Sequence, residues 1–292
     1  MTSSSARLPD FIIIGTMKSA TSSLYWWLQE QPGCFLASPK EIDFFSKADR
    51  WRKGIEWYRS LFAGAPAGQV LGEASVSYTL PTFAGVAASR MRSTLPDVRL
   101  LVTLRHPEER LRSHYRHEVQ RGREQRSFID AVRILENPYL ATSRYFSCLE
   151  PYLERFSRDQ LCLVRFEDLV SGGRSGWHQT LRFLGLPPTQ PPTTAHNVTD
   201  GHRQWSSTMA RLHRLGVFRL AAVARVPAPL RKLGGRVLMR DGADYRKTLE
   251  ASRAVAIPED VSDELWADIA KLETWLGATT PLWPRSSVAE VR

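Results

Sequence analysis

The chain has 292 residues, enough for one large α/β domain or two modest ones and for a core that needs no disulfide or metal staple. Its 42% hydrophobic and 10% aromatic residues exclude a disordered polypeptide, and no apolar run is long enough to span a membrane as a helix. Its net charge of +10 is mostly guanidinium, since only seven of the forty basic residues are lysines; a polyanionic nucleotide, an anionic acceptor, nucleic acid, a membrane surface or simply a basic solvated face would each account for it.

The first predicted element is Phe11-Ile12-Ile13-Ile14, an apolar, mostly β-branched run ending at Gly15, which reads as a buried strand of a parallel sheet. A polar loop over residues 16–20 follows. Leu24, Trp27 and Leu28 then recur at helical spacing over residues 21–31, and Pro32-Gly33 closes the segment. Residues 69–73 predict a short strand, 82–95 a helix, and 98–104 a second strongly apolar strand. Pro107 with Glu108 and Glu109 opens another helix, because proline suits a first turn and acids suit its positive end. Residues 145–157 predict a helix and 161–166 a third buried strand. Strands alternating with helices imply an α/β fold: a P-loop-like parallel sheet with helices on both faces.

Pro187, Pro188, Pro191 and Pro192 then make an extended linker. Residues 201–240 contain no acid yet carry Arg203, Arg211, Arg214, Arg219, Arg225, Arg231, Lys232, Arg236 and Arg240. This basic flap is expected to fold over a bound nucleotide or lie against an anionic lipid or acceptor. Residues 261–275 predict an amphipathic helix that Gly277 ends. The expected organisation is one domain over residues 1–292, with a core at about 9–190, the flap at about 201–250 and the last helix at about 261–277. Cys34, Cys148 and Cys162 have no metal-ligand spacing and read as buried thiols of a reducing compartment. With no signal-peptide anatomy in residues 1–10, the expected location is cytoplasmic, with peripheral membrane association open.

Three segments carry chemistry. The loop Gly15-Thr16-Met17-Lys18-Ser19-Ala20-Thr21-Ser22-Ser23 leaves a strand and enters a helix whose free N–H groups point back at it, a geometry that binds phosphate. It is not a Walker A loop, because Met17 rather than glycine precedes Lys18. A serine-rich helix cap with a solvated lysine is the alternative. In Ser38-Pro39-Lys40-Glu41-Ile42-Asp43-Phe44-Phe45, an acid beside two aromatics is placed to become a desolvated base, and Glu41 is the candidate. On a strand Asp43 would share its face; a surface charge pair is the alternative. Leu104-Arg105-His106-Pro107 with Ser113 can grip a second phosphate, and strand polarity brings Arg105 to the same crevice as Lys18. A strand-end ion pair is the alternative for Arg105.

Taken in order and spacing, Lys18-Ser19-Ala20-Thr21-Ser22, the Lys40-to-Phe45 block, Gly72-Glu73-Ala74-Ser75 and Arg105-His106-Pro107 with Ser113 resemble the sulfotransferases that use 3′-phosphoadenosine 5′-phosphosulfate (PAPS). The bacterial and heparan-sulfate-type branch looks nearest. Lys53-Gly54-Ile55-Glu56-Trp57-Tyr58, Arg165-Phe166-Glu167-Asp168-Leu169 and Phe183-Leu184-Gly185-Leu186 add to the likeness, which covers roughly residues 9–190. The resemblance implies that Lys18, Ser19, Ala20, Thr21 and Ser22 bind the 5′-phosphosulfate, with Lys18 stabilising the leaving phosphate. It further implies that Arg105 and Ser113 hold the 3′-phosphate and that Glu41 is the general base. PAPS is then the co-substrate, PAP the product, and no metal is needed.

Two residues depart from the family pattern. Ala20 stands where glycine is usual, which is tolerable if the residue is already helical with negative φ. Ala74 stands where heparan-type enzymes carry lysine, which argues against importing their acceptor. The late loop that closes over the adenosine is assigned to His202-Arg203, with Arg203 the binding residue. The acceptor is a small molecule, glycolipid or saccharide bearing a hydroxyl or amine, with an anionic or lipid-linked one open. A P-loop-type kinase or nucleotide-binding protein with a degenerate phosphate loop is the competing reading; nucleic-acid binding is disfavoured, because the basic flap has few interleaved aromatics.

Overall fold

The computed structural model describes residues 7–134, 136–170, 175–192, 204–205, 239–240, 250, 252 and 254–285. Five strands form one parallel sheet: β1 (Phe11–Gly15), β2 (Cys34–Leu36), β3 (Val70–Ala74), β4 (Arg99–Leu104) and β5 (Leu161–Arg165), in the spatial order β2-β3-β1-β4-β5. The helices are α1 (Thr21–Glu30), α2 (Ala48–Trp51), α3 (Gly54–Ser60), α4 (Pro81–Thr94), α5 (Pro107–Gln120), α6 (Phe128–Val132), α7 (Pro138–Ala141), α8 (Tyr145–Leu153), α9 (Phe166–Val170), α10 (Ser175–Leu184) and α11 (Glu259–Leu276). A short antiparallel pair joins β6 (Gln204–Trp205) to β7 (Met239–Arg240). The rest of the basic flap between residues 201 and 249, Arg203 included, lies outside the described residues.

Because successive strand side chains point to opposite faces, the continuous apolar runs feed two separate cores. Ile12, Ile14, Leu71, Leu100 and Val102 pack with Ala84, Ala88 and Met91 of α4, Leu149 and Tyr152 of α8 and Ile269 and Leu272 of α11. Phe11, Ile13, Leu36, Leu101 and Val164 pack with Leu24, Trp27 and Leu28 of α1 and Trp177, Leu181 and Leu184 of α10. The parallel α/β architecture is therefore the one the sequence implies. Gly72 is a packing necessity: a Cβ there would sit 2.2 Å from the ring of Phe11, its partner across β1–β3.

Several details differ from the sequence expectation. The edge strand β2, the β6–β7 pair and the helices α2, α3, α6, α7, α9 and α10 are additions. Helix α8 stops at Leu153 rather than continuing to Ser157, and Phe166 opens α9 instead of closing β5. Two compact units can be distinguished. The first comprises Met1–Arg110, Ala141–Asn197 and Glu264–Arg285 and holds the sheet; the second comprises Leu111–Leu140, Val198–Asp263 and Ser286–Arg292. Within the second unit, buried Glu124 accepts hydrogen bonds from Arg126 and from the hydroxyl of Tyr139.

Candidate active site at the carboxyl edge of the sheet

The turn after β1 is tied to the end of β4. The Thr16 amide and hydroxyl both donate to the Thr103 carbonyl at 2.9 Å, and the Thr16 and Ser19 hydroxyls bond to each other at 2.9 Å. Gly15 leaves no room for a side chain, since a Cβ would fall 2.2 Å from the Thr79 hydroxyl. Arg110, fully buried, clamps the turn by donating to the Met17 carbonyl at 3.2 Å, and burial lowers its pKa to about 10. Lys18 and Ala20 both adopt left-handed backbone, with φ of 72° and 65°. The condition under which alanine is tolerable at this position, a helical residue with negative φ, is thus not met. Ala20 is the N-cap of α1, one residue before helical geometry begins, so the preference for glycine there is conformational and alanine bears some strain.

Helix α1 begins at Thr21 with no side-chain cap from Ala20 and no acid in its first turn, so no carboxylate of that turn opposes the positive end of its dipole. Ser19 and Thr21 are buried, whereas Lys18, Ala20 and Ser22 are half-buried. This surrounding suits a polyanion.

The Lys40-to-Asp43 segment comes to the same edge. Lys40 Nζ lies 3.3 Å from the Ser22 hydroxyl and 2.5 Å from Glu41 Oε1, so one ammonium joins the phosphate-type loop to the candidate base. Sequence reasoning did not select Lys40, although its place immediately before Glu41 was a usable signal. Glu41 is exposed, and Phe44 and Phe45 turn away from it into the core, where Phe44 stacks on Tyr58 at 4.4 Å. Desolvation of Glu41 by these aromatics is therefore not what the structure contains. Nor do Glu41 and Asp43 share a strand face; their φ values of 64° and 58° place them in an irregular loop. Each instead hooks onto the segment after β3: Glu41 Oε2 accepts from the Val76 amide at 2.8 Å, and Asp43 Oδ1 accepts from the Ser77 hydroxyl at 2.5 Å.

The desolvated acid at this edge is Glu73. Its carboxyl is wholly buried and accepts from Tyr78 at 2.6 Å, Ser75 at 2.9 Å and Tyr58 at 3.2 Å. Burial pushes its pKa up to about 7, with the charge of Glu41 adding to the rise and the three hydroxyl donors opposing it.

Arg105 follows β4 directly. Its backbone is held by the Tyr145 hydroxyl, which donates to the Arg105 carbonyl at 2.7 Å, lies 3.2 Å from its amide, and is also a hydrogen-bond partner of Ser19. Tyr145, fully buried and missed from sequence, thus couples the loop after β1 to the end of β4. The Arg105 guanidinium lies over the Phe166 ring at 4.6 Å and 3.4 Å from Glu109, so the strand-end ion pair is present. Ser113 is buried on α5 and belongs to the second unit.

Among the described residues, no helix is long and apolar enough to cross a membrane, and no cluster of His, Cys, Asp and Glu has metal-binding geometry. The family model of the sulfotransferase domain matches residues 8–209. The chain is 26% identical over 219 residues to human bifunctional heparan sulfate N-deacetylase/N-sulfotransferase 2, covering 68% of this chain and 24% of that protein. It is 30% identical over 212 residues to mouse heparan sulfate glucosamine 3-O-sulfotransferase 3B1, covering 70% of this chain and 51% of that protein. It therefore spans about a quarter of the length of the first relative and about half of the second. The crystal structure of a sulfotransferase from Alicyclobacillus acidocaldarius superposes with a TM-score of 0.56 at 27% identity, covering 82% of this chain and 99% of that one. With a family match over most of its length and a sulfotransferase fold, the chain belongs to the PAPS-dependent sulfotransferase family.

Proposed function

We propose that the chain transfers the sulfuryl group of PAPS to a hydroxyl or amine of a small-molecule, glycolipid or saccharide acceptor, with Glu41 as general base and Lys18 at the leaving phosphate. In this reading Ser19, Thr21, Ser22 and the backbone at Ala20 bind the 5′-phosphosulfate beside Lys18. Arg105 and Ser113 bind the 3′-phosphate, and Arg203 closes over the adenosine. The whole of residues 1–292 acts as one sulfotransferase domain. The observation that carries the reading is the Lys40 bridge, which sets Glu41 and the Ser22 hydroxyl around one ammonium group at 2.5 and 3.3 Å. Base and donor loop are thereby neighbours, as an in-line displacement requires.

The step is balanced without further reagents. The acceptor O–H or N–H gives its proton to Glu41, the acceptor atom forms a bond to sulfur, and the bond from sulfur to the phosphate oxygen breaks. In this reading negative charge grows on that oxygen as PAP departs, and Lys18 and the N-terminus of α1 oppose it. Two named relatives act on heparan sulfate, which favours a saccharide-like acceptor here, although Ala74 removes a cation that heparan-type enzymes carry.

The test is Lys18→Ala, assayed for sulfation with PAPS and for thermal stabilisation by PAP. Turnover is expected to fall by at least about 10²-fold while the protein stays folded, the scale of one lost charge stabiliser. Unimpaired turnover removes Lys18 from the site. Stabilisation of the wild type by ATP–Mg²⁺ but not by PAP turns the assignment toward a kinase.

A further inference from the structure

The loop that carries Glu41 has no regular secondary structure of its own, yet it is held at many points. The Glu41 amide donates to the Ala74 carbonyl at 2.9 Å, and the Val76 amide returns a bond to the Glu41 carboxylate at 2.8 Å. The Asp43 amide donates to the Ser75 hydroxyl at 3.0 Å, and the Ser77 hydroxyl bonds both Asp43 and Ser46. The two segments are therefore zipped together, rung by rung, over residues 41–46 and 74–77. Every rung on the second segment hangs from the end of β3.

Ser75 is the rung with a further anchor. It is fully buried, and while its oxygen accepts from the Asp43 amide, its proton goes to Glu73 Oε2 at 2.9 Å. Glu73 in turn is fixed by the sheet, lying beside Ile12 in the β1–β3 register, and by Tyr58 and Tyr78 on its other oxygen. All its side-chain partners among the described residues are hydroxyl groups, with no ion pair. A carboxyl buried at such cost, with no cation to offset it, calls for a reason beyond stability. An apolar residue there would leave the buried hydroxyls of Tyr58, Tyr78 and Ser75 without their acceptor, so the carboxyl holds together a buried network whose Ser75 branch runs to the 41–46 loop.

We infer that Glu73 is a positioning residue of the transfer reaction: through the Ser75 hydroxyl it fixes the 41–46 loop so that the Glu41 carboxylate stays at the acceptor side of the donor site. This deepens the assignment of Glu41 as base and rests on it. Supporting shells of this sort convert a roughly correct geometry into a productive one. The inference also gives a meaning to the short Gly72-Glu73-Ala74-Ser75 run. Gly72 lets β3 pass over the Phe11 ring, Glu73 and Ser75 form the anchor, and the Ala74 carbonyl receives the Glu41 amide.

The experiment compares Ser75→Ala, Glu73→Gln and Glu41→Gln, and the pairs Ser75→Ala/Glu41→Gln and Ser75→Ala/Glu73→Gln. Read-outs are kcat with PAPS, PAP affinity by fluorescence, and Tm. Ser75→Ala removes one hydroxyl and should fold, which keeps the test open even if Glu73→Gln does not. Positioning predicts that Ser75→Ala lowers kcat by about 10-fold or more with PAP affinity unchanged, since small displacements of a reacting group cost that much or more. It predicts that the same change has no further effect on kcat once Glu41 is already Gln or Glu73 is already Gln. Wild-type kcat in Ser75→Ala, a parallel loss of PAP affinity, or an undiminished extra loss in the Glu41→Gln background overturns the inference. A fully active Glu41→Gln overturns the base assignment instead, so the two failures are distinguishable.

Discussion

Glu41 uses both of its carboxylate oxygens, one toward the Lys40 ammonium and one toward the Val76 amide, while its side chain stays open to solvent. In the proposed role as base, Glu41 held in this way needs reorientation of Lys40 rather than desolvation to reach an acceptor. Glu41→Gln is expected to keep PAP affinity and to lower kcat by about 10²-fold or more, as for a lost general base. Steady-state kinetics beside PAP titration checks it, and a larger loss in Asp43→Asn would move the base to Asp43. What sequence could supply at this scale was local: Lys18, Ser22, Glu41 and Arg105 are marked by the few residues around them. Glu73 and Tyr145 could not be singled out that way. Their significance comes from partners such as Tyr58 and Arg105, which lie 15 and 40 residues away. Ala20 was visible as a departure from the family, but its positive φ was not, because the turn's conformation is imposed by its ties to Thr103 and Arg110.

At the scale of elements, periodicity gave the three long buried strands and most of the helices that cover them. β2 escaped because three residues after a Pro-Gly turn show no period. Helix α8 shows a second limit. Its N-cap, Arg144, provides no side-chain cap, and the duty passes to Asp268 of α11. That carboxylate accepts from the Phe146 amide at 2.7 Å, the Ser147 amide at 3.1 Å and the Ser147 hydroxyl at 2.6 Å. A cap borrowed from more than a hundred residues away leaves no trace in local sequence. Asp268→Ala is expected to cost about 0.5–2 kcal/mol, the range for lost N-caps, because two amides at a half-buried helix end lose their acceptor. Urea denaturation of the variant measures it. A change within error would mean that water satisfies those amides equally well.

For the whole molecule, two buried acids set opposite limbs of the stability profile. Glu73 has its pKa raised from 4.5 to about 7 by burial, so the folded state holds its proton more tightly than the unfolded chain does. That contribution is complete below about pH 4.5 and is lost as pH rises through about 7. Burial also acts to raise the pKa of Glu124, but hydrogen bonds from Arg126, Tyr139 and the Gln125 amide outweigh it and bring the value down to about 2. Its contribution is present above about pH 4.5 and is lost as pH falls through about 2. Thermal unfolding followed across pH should show Glu73→Gln flattening the profile between 4.5 and 7, and Glu124→Gln flattening it below 4.5. A Glu73→Gln profile parallel to wild type up to pH 8 would mean that Glu73 ionises normally.

The two cores on either side of the sheet have a consequence of another kind. Phe44, Phe45, Tyr58 and Tyr78, which underlie the loop of the proposed base, belong to one core, and Leu24, Tyr25, Trp27 and Leu28, which seat the donor-side helix, belong to the other. The sheet thus separates the packing beneath the proposed base from the packing beneath α1. Substitutions in the first cluster are therefore expected to act first on the seat of the proposed base, and those in the second on the seat of α1.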